Sequence, residues 1–286
     1  MKLKDIKENS MKYIFLVSSL FAVAAIAIIC FYIFYRGVPI IISEGPGNFI
    51  FGEKWSPRSE TFGILSMVTG SLYATLGAII LGVPVGIFTA VFLAEFCPPW
   101  LYKIVKPAVQ LLAGIPSVLY GFFGLVVIVP FIRNNFGGAG NSLLAAIIIL
   151  AIMVLPTIIS ISETSLRAVP RAYYEGGLAL GEEHTGAVFR LTLPAARSGV
   201  ITAVILGIGR AIGETMAVIL VAGNTTLIPQ ALTDSIRTMT AGIAMEMSYA
   251  AGLHQEALFG IGVILFLFII LLNVLLNIVK RKAGTH

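Results

Sequence analysis

The chain has 286 residues, of which 58% are hydrophobic and only 12% charged, with a net charge of +5 and a mean hydropathy of +0.97. Soluble domains carry about 25% charged residues, so the composition excludes an ordinary soluble domain and indicates a polytopic membrane protein with the bilayer as its main solvent. The two cysteines, Cys30 and Cys97, fall near opposite ends of predicted spans, and the three histidines are scattered, so neither a disulfide framework nor a metal-ligand spacing is present.

In chain order, residues 1–12 form a basic tail with Lys2, Lys4, Lys7 and Lys12, and residues 13–36 are the first predicted transmembrane helix. That run is too long for a secretory h-region and lacks a small-x-small cleavage site, so it reads as a retained helix. Residues 37–66 read as an outer loop rich in Gly, Pro and polar residues, with Trp55 as an interfacial anchor. Residues 67–286 read as a core of five further spans. Charge-free runs between Glu60 and Glu95, Lys106 and Arg133, Arg133 and Glu163, and Glu256 and Lys280 supply four of them. Each suits a helix of about 20 apolar residues. The remaining span, 198–221, is interrupted by Arg210 and Glu214. The absence of alternating polarity excludes a β-barrel, so the expected class is all-α with six transmembrane helices.

Thirteen lysines and arginines fall in the tail, in the connections around Lys103, Lys106, Arg167, Arg171, Arg190 and Arg197, and at Lys280, Arg281 and Lys282. Five fall in the alternate connections, at Arg36, Lys54, Arg58, Arg133 and Arg237. This bias predicts cytoplasmic N- and C-termini and accounts for the net charge, which therefore gives no argument for nucleic acid. Glycines at 77, 82 and 86, at 114, 121 and 124, and at 207, 209 and 213 predict close helix packing, and Pro84 and Pro116 are expected to shape spans. Ser71, Thr75 and Ser117 are expected to bond within their helices and Tyr120 to pack. Glu95 and Glu163, near inner span ends, are expected to pair with basic residues there. The outer segment 223–253 mixes Met, Tyr and charged residues and predicts a short surface helix.

The inner segment 167–197 contains EGGLALGEEHTGAVFRLTLP. Glu175 to Leu180 predicts a short helix with Leu178 and Leu180 as apolar contacts, Gly181 a turn, and Glu182 to Leu191 a second helix with acidic residues at its positive end, stopping before Pro194. A helix–Gly–helix unit of this kind suits a groove on another protein. Glu175-Gly176-Gly177, Gly181 and Leu191-x-Leu193-Pro194 have the spacing of the EAA signature, so the chain resembles the permease subunits of ABC importers of type I fold. It departs from that signature by glycine at both alanines and leucine for isoleucine, and the glycines weaken the first helix. The resemblance implies that Glu175, Gly176, Gly177, Gly181, Leu191, Leu193 and Pro194 couple the chain to ATPases. No Gly-x4-Gly-Lys-Ser/Thr motif occurs, so ATP is expected on partner subunits, with no cofactor in this chain.

FLAEFCPPW, LLAGIPSVLYGFFGL, GIGRAIGETMAVILVAGN and the outer KWSP extend the likeness to the PstC-like permeases of phosphate importers, from about residue 50 onward. That resemblance implies a PstA-like permease partner, two cytoplasmic ATPase subunits, an extracytoplasmic phosphate-binding protein and surrounding membrane lipid.

Arg210 and Glu214, spaced i, i+4 in GIGRAIGET, are expected on one glycine-flanked helical face. An intramembrane charge costs about 2.5–3.5 kcal/mol on insertion scales and is functional by default. A guanidinium fork suits an oxyanion; Arg210 is thus expected to contact substrate in the path, with Glu214 neutralising it when the path is empty. The competing readings are an internal ion pair that pins helices, a molybdate or sulfate importer, and an ion-coupled secondary transporter, which predicts span repeats that are not seen. No catalytic triad, HExxH motif or paired carboxylate stands out, so covalent or metal chemistry is not expected.

Overall fold

In hydrocarbon, a backbone must satisfy its own N–H and C=O groups, so long apolar runs become helices. The computed structural model describes residues 3–284, so Lys2 and His286 lie outside the described residues. Helix α1, Leu3–Glu44, runs well past Arg36 into residues read from sequence as outer loop. Two contacts explain the extension. Arg36 is paired with Glu256 at 3.5 Å, and Ile40 and Ile41 are buried in a cluster with Leu258 and Ile261.

A short helix α2, Pro46–Phe51, leads to a two-stranded antiparallel hairpin, β1 Trp55–Ser56 and β2 Thr61–Phe62. Trp55 is not an interfacial anchor. It is buried, lies edge-on to Phe62, and its indole N–H donates to Glu246 at 3.0 Å.

Helix α3, Leu65–Val91, ends in a π turn at Phe92–Phe96. Helix α4, Pro99–Gly114, stops at Ile115, and α5, Ser117–Phe123, starts a new direction; a π turn at Gly124–Ile128 carries it into α6, Val129–Phe136. The span expected across Pro116 thus begins at Ser117. Proline holds the preceding residue extended, and Ile115 has ψ 128°. Helix α7, Leu143–Arg167, is the central and most buried span. Ser142 caps it by accepting from the Ala145 N–H.

The expected close packing is built from glycines. A Cβ at Gly77, Gly82 or Gly86 of α3 would lie within 3 Å of Ile147, Val154 or Ile158 of α7. Beyond α7 come α8 Arg171–Ala179, α9 His184–Ala187, a π turn Val188–Thr192, α10 Leu193–Ala195, α11 Arg197–Gly213, α12 Met216–Val221, α13 Met239–Glu246 and α14 Leu253–Gly284. Among the described residues, five helices are long and apolar enough to cross a membrane, and six if the pair His184–Ala195 and Arg197–Gly213, bent by 69°, counts as one span. The chain is therefore a multi-pass, mostly helical membrane protein.

One contact tests the packing. A Cβ at Gly121 of α5 would sit 2.7 Å from the Ala217 Cα of α12, where backbone cannot yield. Gly121→Val is expected to separate these helices and destabilise the fold by about 1–3 kcal/mol, measured as a lower thermal midpoint of the protein in detergent.

Candidate functional site

The fifth span is not one rod. Helix α11 ends at Gly213, Glu214 is extended at φ −70°, ψ 131°, and α12 starts at Met216 with Thr215 at its N-cap position. Glycines at 207, 209 and 213 lower helix propensity in this stretch, and Thr215 belongs to a residue class favoured at helix starts. The break overturns the expectation that Arg210 and Glu214 share one helical face. The Glu214 carboxylate accepts from the Ala217 N–H at 3.1 Å, capping α12. Its backbone carbonyl accepts from the Thr240 hydroxyl at 2.9 Å.

Arg210 remains in α11, about 20 Å along it from Arg197 by helical rise. It is half-buried, and its Nη1 donates to Thr157 Oγ1 of α7 at 3.4 Å. No carboxylate lies within ion-pairing distance of it among the described residues. The Tyr120 phenol of α5 is within its electrostatic reach. Gly209 and Gly213 open onto empty space on the same helix, whereas Gly207 packs on Ile158. The structure thus brings together Arg210 and Thr157, which sequence reasoning missed. A threonine within an apolar helix carries no distinctive sequence signal.

The segment 167–197 folds as a short helix, a turn and a second helix. Gly181 has φ +90°, the left-handed conformation that makes the turn inexpensive. Glu175 and Gly176 are exposed on α8. Gly177 is buried, and a Cβ there would lie 2.4 Å from Leu191 Cδ1, so α8 packs on the second helix through it. That second helix starts at His184, not at Glu182, and continues through Pro194 to Ala195. The Glu182 carboxylate instead reaches Arg190 at 2.9 Å. Leu193 packs with Leu166 and Val188, while Pro194 faces outward. Leu180, 89% exposed, and Tyr173, 55% exposed, present apolar surface on the same unit.

This unit is anchored to the bundle by charge. The carboxylate of Glu163, buried on α7, accepts from Lys106 Nζ at 2.5 Å, Tyr102 OH at 2.8 Å and Arg167 Nε at 2.9 Å. Arg167 also donates to the Leu93 carbonyl at 2.8 Å, and Arg171 faces Glu95 at 3.7 Å. The bond to Glu163, with burial, holds the Tyr102 phenol above its usual pKa. A second network closes the other end. The Glu246 carboxylate accepts from Arg237 at 2.5 Å and Trp55 at 3.0 Å, and lies 2.8 Å from His254 Nε2. The short helix expected on the surface in 223–253 is α13, and it is largely buried behind this network. Ser71 also departs from expectation, accepting from the Met239 N–H of α13 at 2.9 Å. Among the described residues no group of His, Cys, Asp and Glu is placed to hold a metal ion.

Residues 82–284 match the family of binding-protein-dependent transport system inner membrane components. The chain belongs to that family. Among its relatives, a probable ABC transporter permease protein, YqgH, of Bacillus subtilis is 36% identical over 92% of this chain and 88% of its own length. Phosphate transport system permease proteins PstC of Mesorhizobium japonicum and Pasteurella multocida are 37% and 34% identical, over 79% and 77% of this chain and 75% of each relative. The fold matches the MetNI methionine ABC transporter in an inward-facing form, with TM-score 0.63 and 21% identity over 77% of this chain and 96% of that one. It also matches a bacterial alginate ABC transporter, with TM-score 0.64 and 14% identity over 99% of both chains. The expected permease fold is therefore present.

Two variants probe the inner unit. Glu163→Gln leaves Lys106 and Arg167 without a buried counter-charge and is expected to destabilise the fold by about 3–5 kcal/mol, measured by thermal unfolding. Gly176 has open space around its Cα, so Gly176→Ala is expected to stabilise α8 by about 1 kcal/mol, measured as slower amide exchange in residues 171–179.

Proposed function

We propose that this chain is a transmembrane permease subunit of an ATP-driven phosphate importer and forms half of the translocation path for inorganic phosphate. Its termini are cytoplasmic, and a PstA-like permease completes the path. Two cytoplasmic ATPase subunits bind ATP and engage residues 167–197. An extracytoplasmic phosphate-binding protein delivers substrate at the opposite end, which the Glu246 network braces. The single observation that carries the site is Arg210, a half-buried guanidinium in an apolar broken helix, with no carboxylate at ion-pairing distance and open glycine faces beside it. A planar donor fork there complements a tetrahedral oxyanion. The phosphate-named relatives support the choice of anion.

Glu175, Gly176, Gly177 and Gly181, with Leu191, Leu193 and Pro194, supply the coupling surface in this reading. Its geometry favours transmission of motion. The second helix meets α11 at a fixed bend, and α11 runs unbroken from there to Arg210. ATP-driven movement of the inner unit therefore displaces the arginine directly.

The test is ATP-dependent uptake by proteoliposomes containing the assembled complex. Phosphate uptake is expected, with sulfate and molybdate excluded. Arg210→Met is expected to reduce uptake at least tenfold while assembly with the ATPase is retained, and Arg210→Lys to keep part of it. Normal uptake by the assembled Arg210→Met complex would remove this residue from the path. Uptake of sulfate or molybdate in place of phosphate would reassign the substrate.

A further inference from the structure

Four helical threonines of this bundle bond differently from Thr157. Thr69, Thr89, Thr164 and Thr202, all within helices, each donate their proton to the carbonyl four residues earlier, at 2.9, 2.7, 2.8 and 2.7 Å. That bond is the usual fate of a threonine in an apolar helix. Thr157 differs. Its oxygen accepts from Arg210 Nη1 at 3.4 Å, and no acceptor for its own proton is found among the described residues. It is half-buried on α7, directly after Pro156. Among the described residues Arg210 is the only charged group bonded to it, and the nearest sequence candidate for a counter-ion, Glu214, is occupied in capping α12.

We propose that Thr157 is a second substrate contact in the path: it orients the Arg210 guanidinium and donates its free hydroxyl proton to an oxygen of the same tetrahedral oxyanion. This rests on the phosphate-permease reading and adds to it a residue on a different helix. A guanidinium and a hydroxyl from α11 and α7 then face one anion, so the site is complete only while those helices keep their present register. The 3.4 Å contact is long for a hydrogen bond. Little is lost when an anion oxygen takes up part of the arginine's donor capacity. Both groups donate, so the pair recognises negative charge and oxygen geometry.

The experiment measures phosphate uptake and ATP hydrolysis by the full complex, reconstituted with its partner subunits and a phosphate-loaded binding protein. Thr157→Val keeps the branched shape and removes the hydroxyl; Thr157→Ser keeps the hydroxyl. A hydrogen bond to a charged group corresponds to roughly a tenfold change in transport. Thr157→Val is expected to lower uptake about tenfold with ATP hydrolysis retained, and Thr157→Ser to restore it to within about threefold of wild type. Combined with Arg210→Met, Thr157→Val is expected to add a further loss smaller than its own tenfold effect, because its orienting of the guanidinium disappears with Arg210 while its bond to the anion is lost separately. Wild-type uptake by Thr157→Val would overturn the inference, and so would equal impairment of the Ser and Val variants, which would assign the residue to packing. If the wild-type complex imports no phosphate, the broader reading fails instead. Assembly and thermal midpoint of each variant confirm folding independently of transport.

Discussion

A helix interrupted inside an apolar environment exposes backbone groups that nothing nearby will solvate, at several kcal/mol each. The break at Gly213–Thr215 meets this demand with side chains. The Glu214 carboxylate takes the Ala217 N–H, the Thr240 hydroxyl takes the Glu214 carbonyl, and the Glu214 N–H retains a bond to the Ala211 carbonyl at 3.4 Å. The acidic residue four positions after Arg210 is thereby committed to the backbone, and the arginine is left without it. An apparent ion pair in the sequence becomes a capped break and a separate cation.

The break also divides the span mechanically. Helix α12 belongs with the Glu246 end, because Asn224 and Ile236 exchange backbone bonds with Ile236 and Ala222, and Thr240 reaches back to Glu214. Helix α11 belongs with the opposite end, through the bend at Ala196 and the packing of Leu193 and Val200 with Leu166. Arg210 stands in the last turn of α11 before the break. Thr157 stands on α7, whose base is clamped by Lys106, Tyr102 and Arg167 around Glu163. Gly207 and Gly199 of α11 pack on Ile158 and Ser165 of α7, so the Arg210–Thr157 contact depends on how these two helices sit together.

The sequence made several of these features legible and hid others for identifiable reasons. Apolar run length located the spans because hydrocarbon solvation depends on composition alone. Gly181 was legible because few residues but glycine turn at φ +90°, and Glu163 because a carboxylate near basic residues at a span end has few alternatives. The α11 break was obscured by apolar residues on both sides, although Thr215 before an apolar run is a helix-start signal. The extension of α1 depended on Glu256 being opposite Arg36, and the burial of Trp55 on Glu246 being opposite its indole. Both are contacts over about two hundred residues of sequence. Thr157 was invisible because its contact with Arg210 joins two helices across 53 residues of sequence.

In the phosphate path proposed for this chain, the same geometry limits how tightly an anion is held. A site that released nothing would stop transport, so its donors must compensate for lost hydration without exceeding it by much. Arg210 is half-buried and already shares one N–H with Thr157 over a long contact. Gly209 and Gly213, on the same helix as Arg210, have open space beside them. A fully enclosed guanidinium with a neighbouring carboxylate would be quiet when empty but would have to break that pair for each anion. Displacing the paired carboxylate would raise the barrier to entry by leaving its charge uncompensated. In the path proposed for this chain, holding Glu214 to the backbone removes that step, so the capped break would serve permeation as well as the fold.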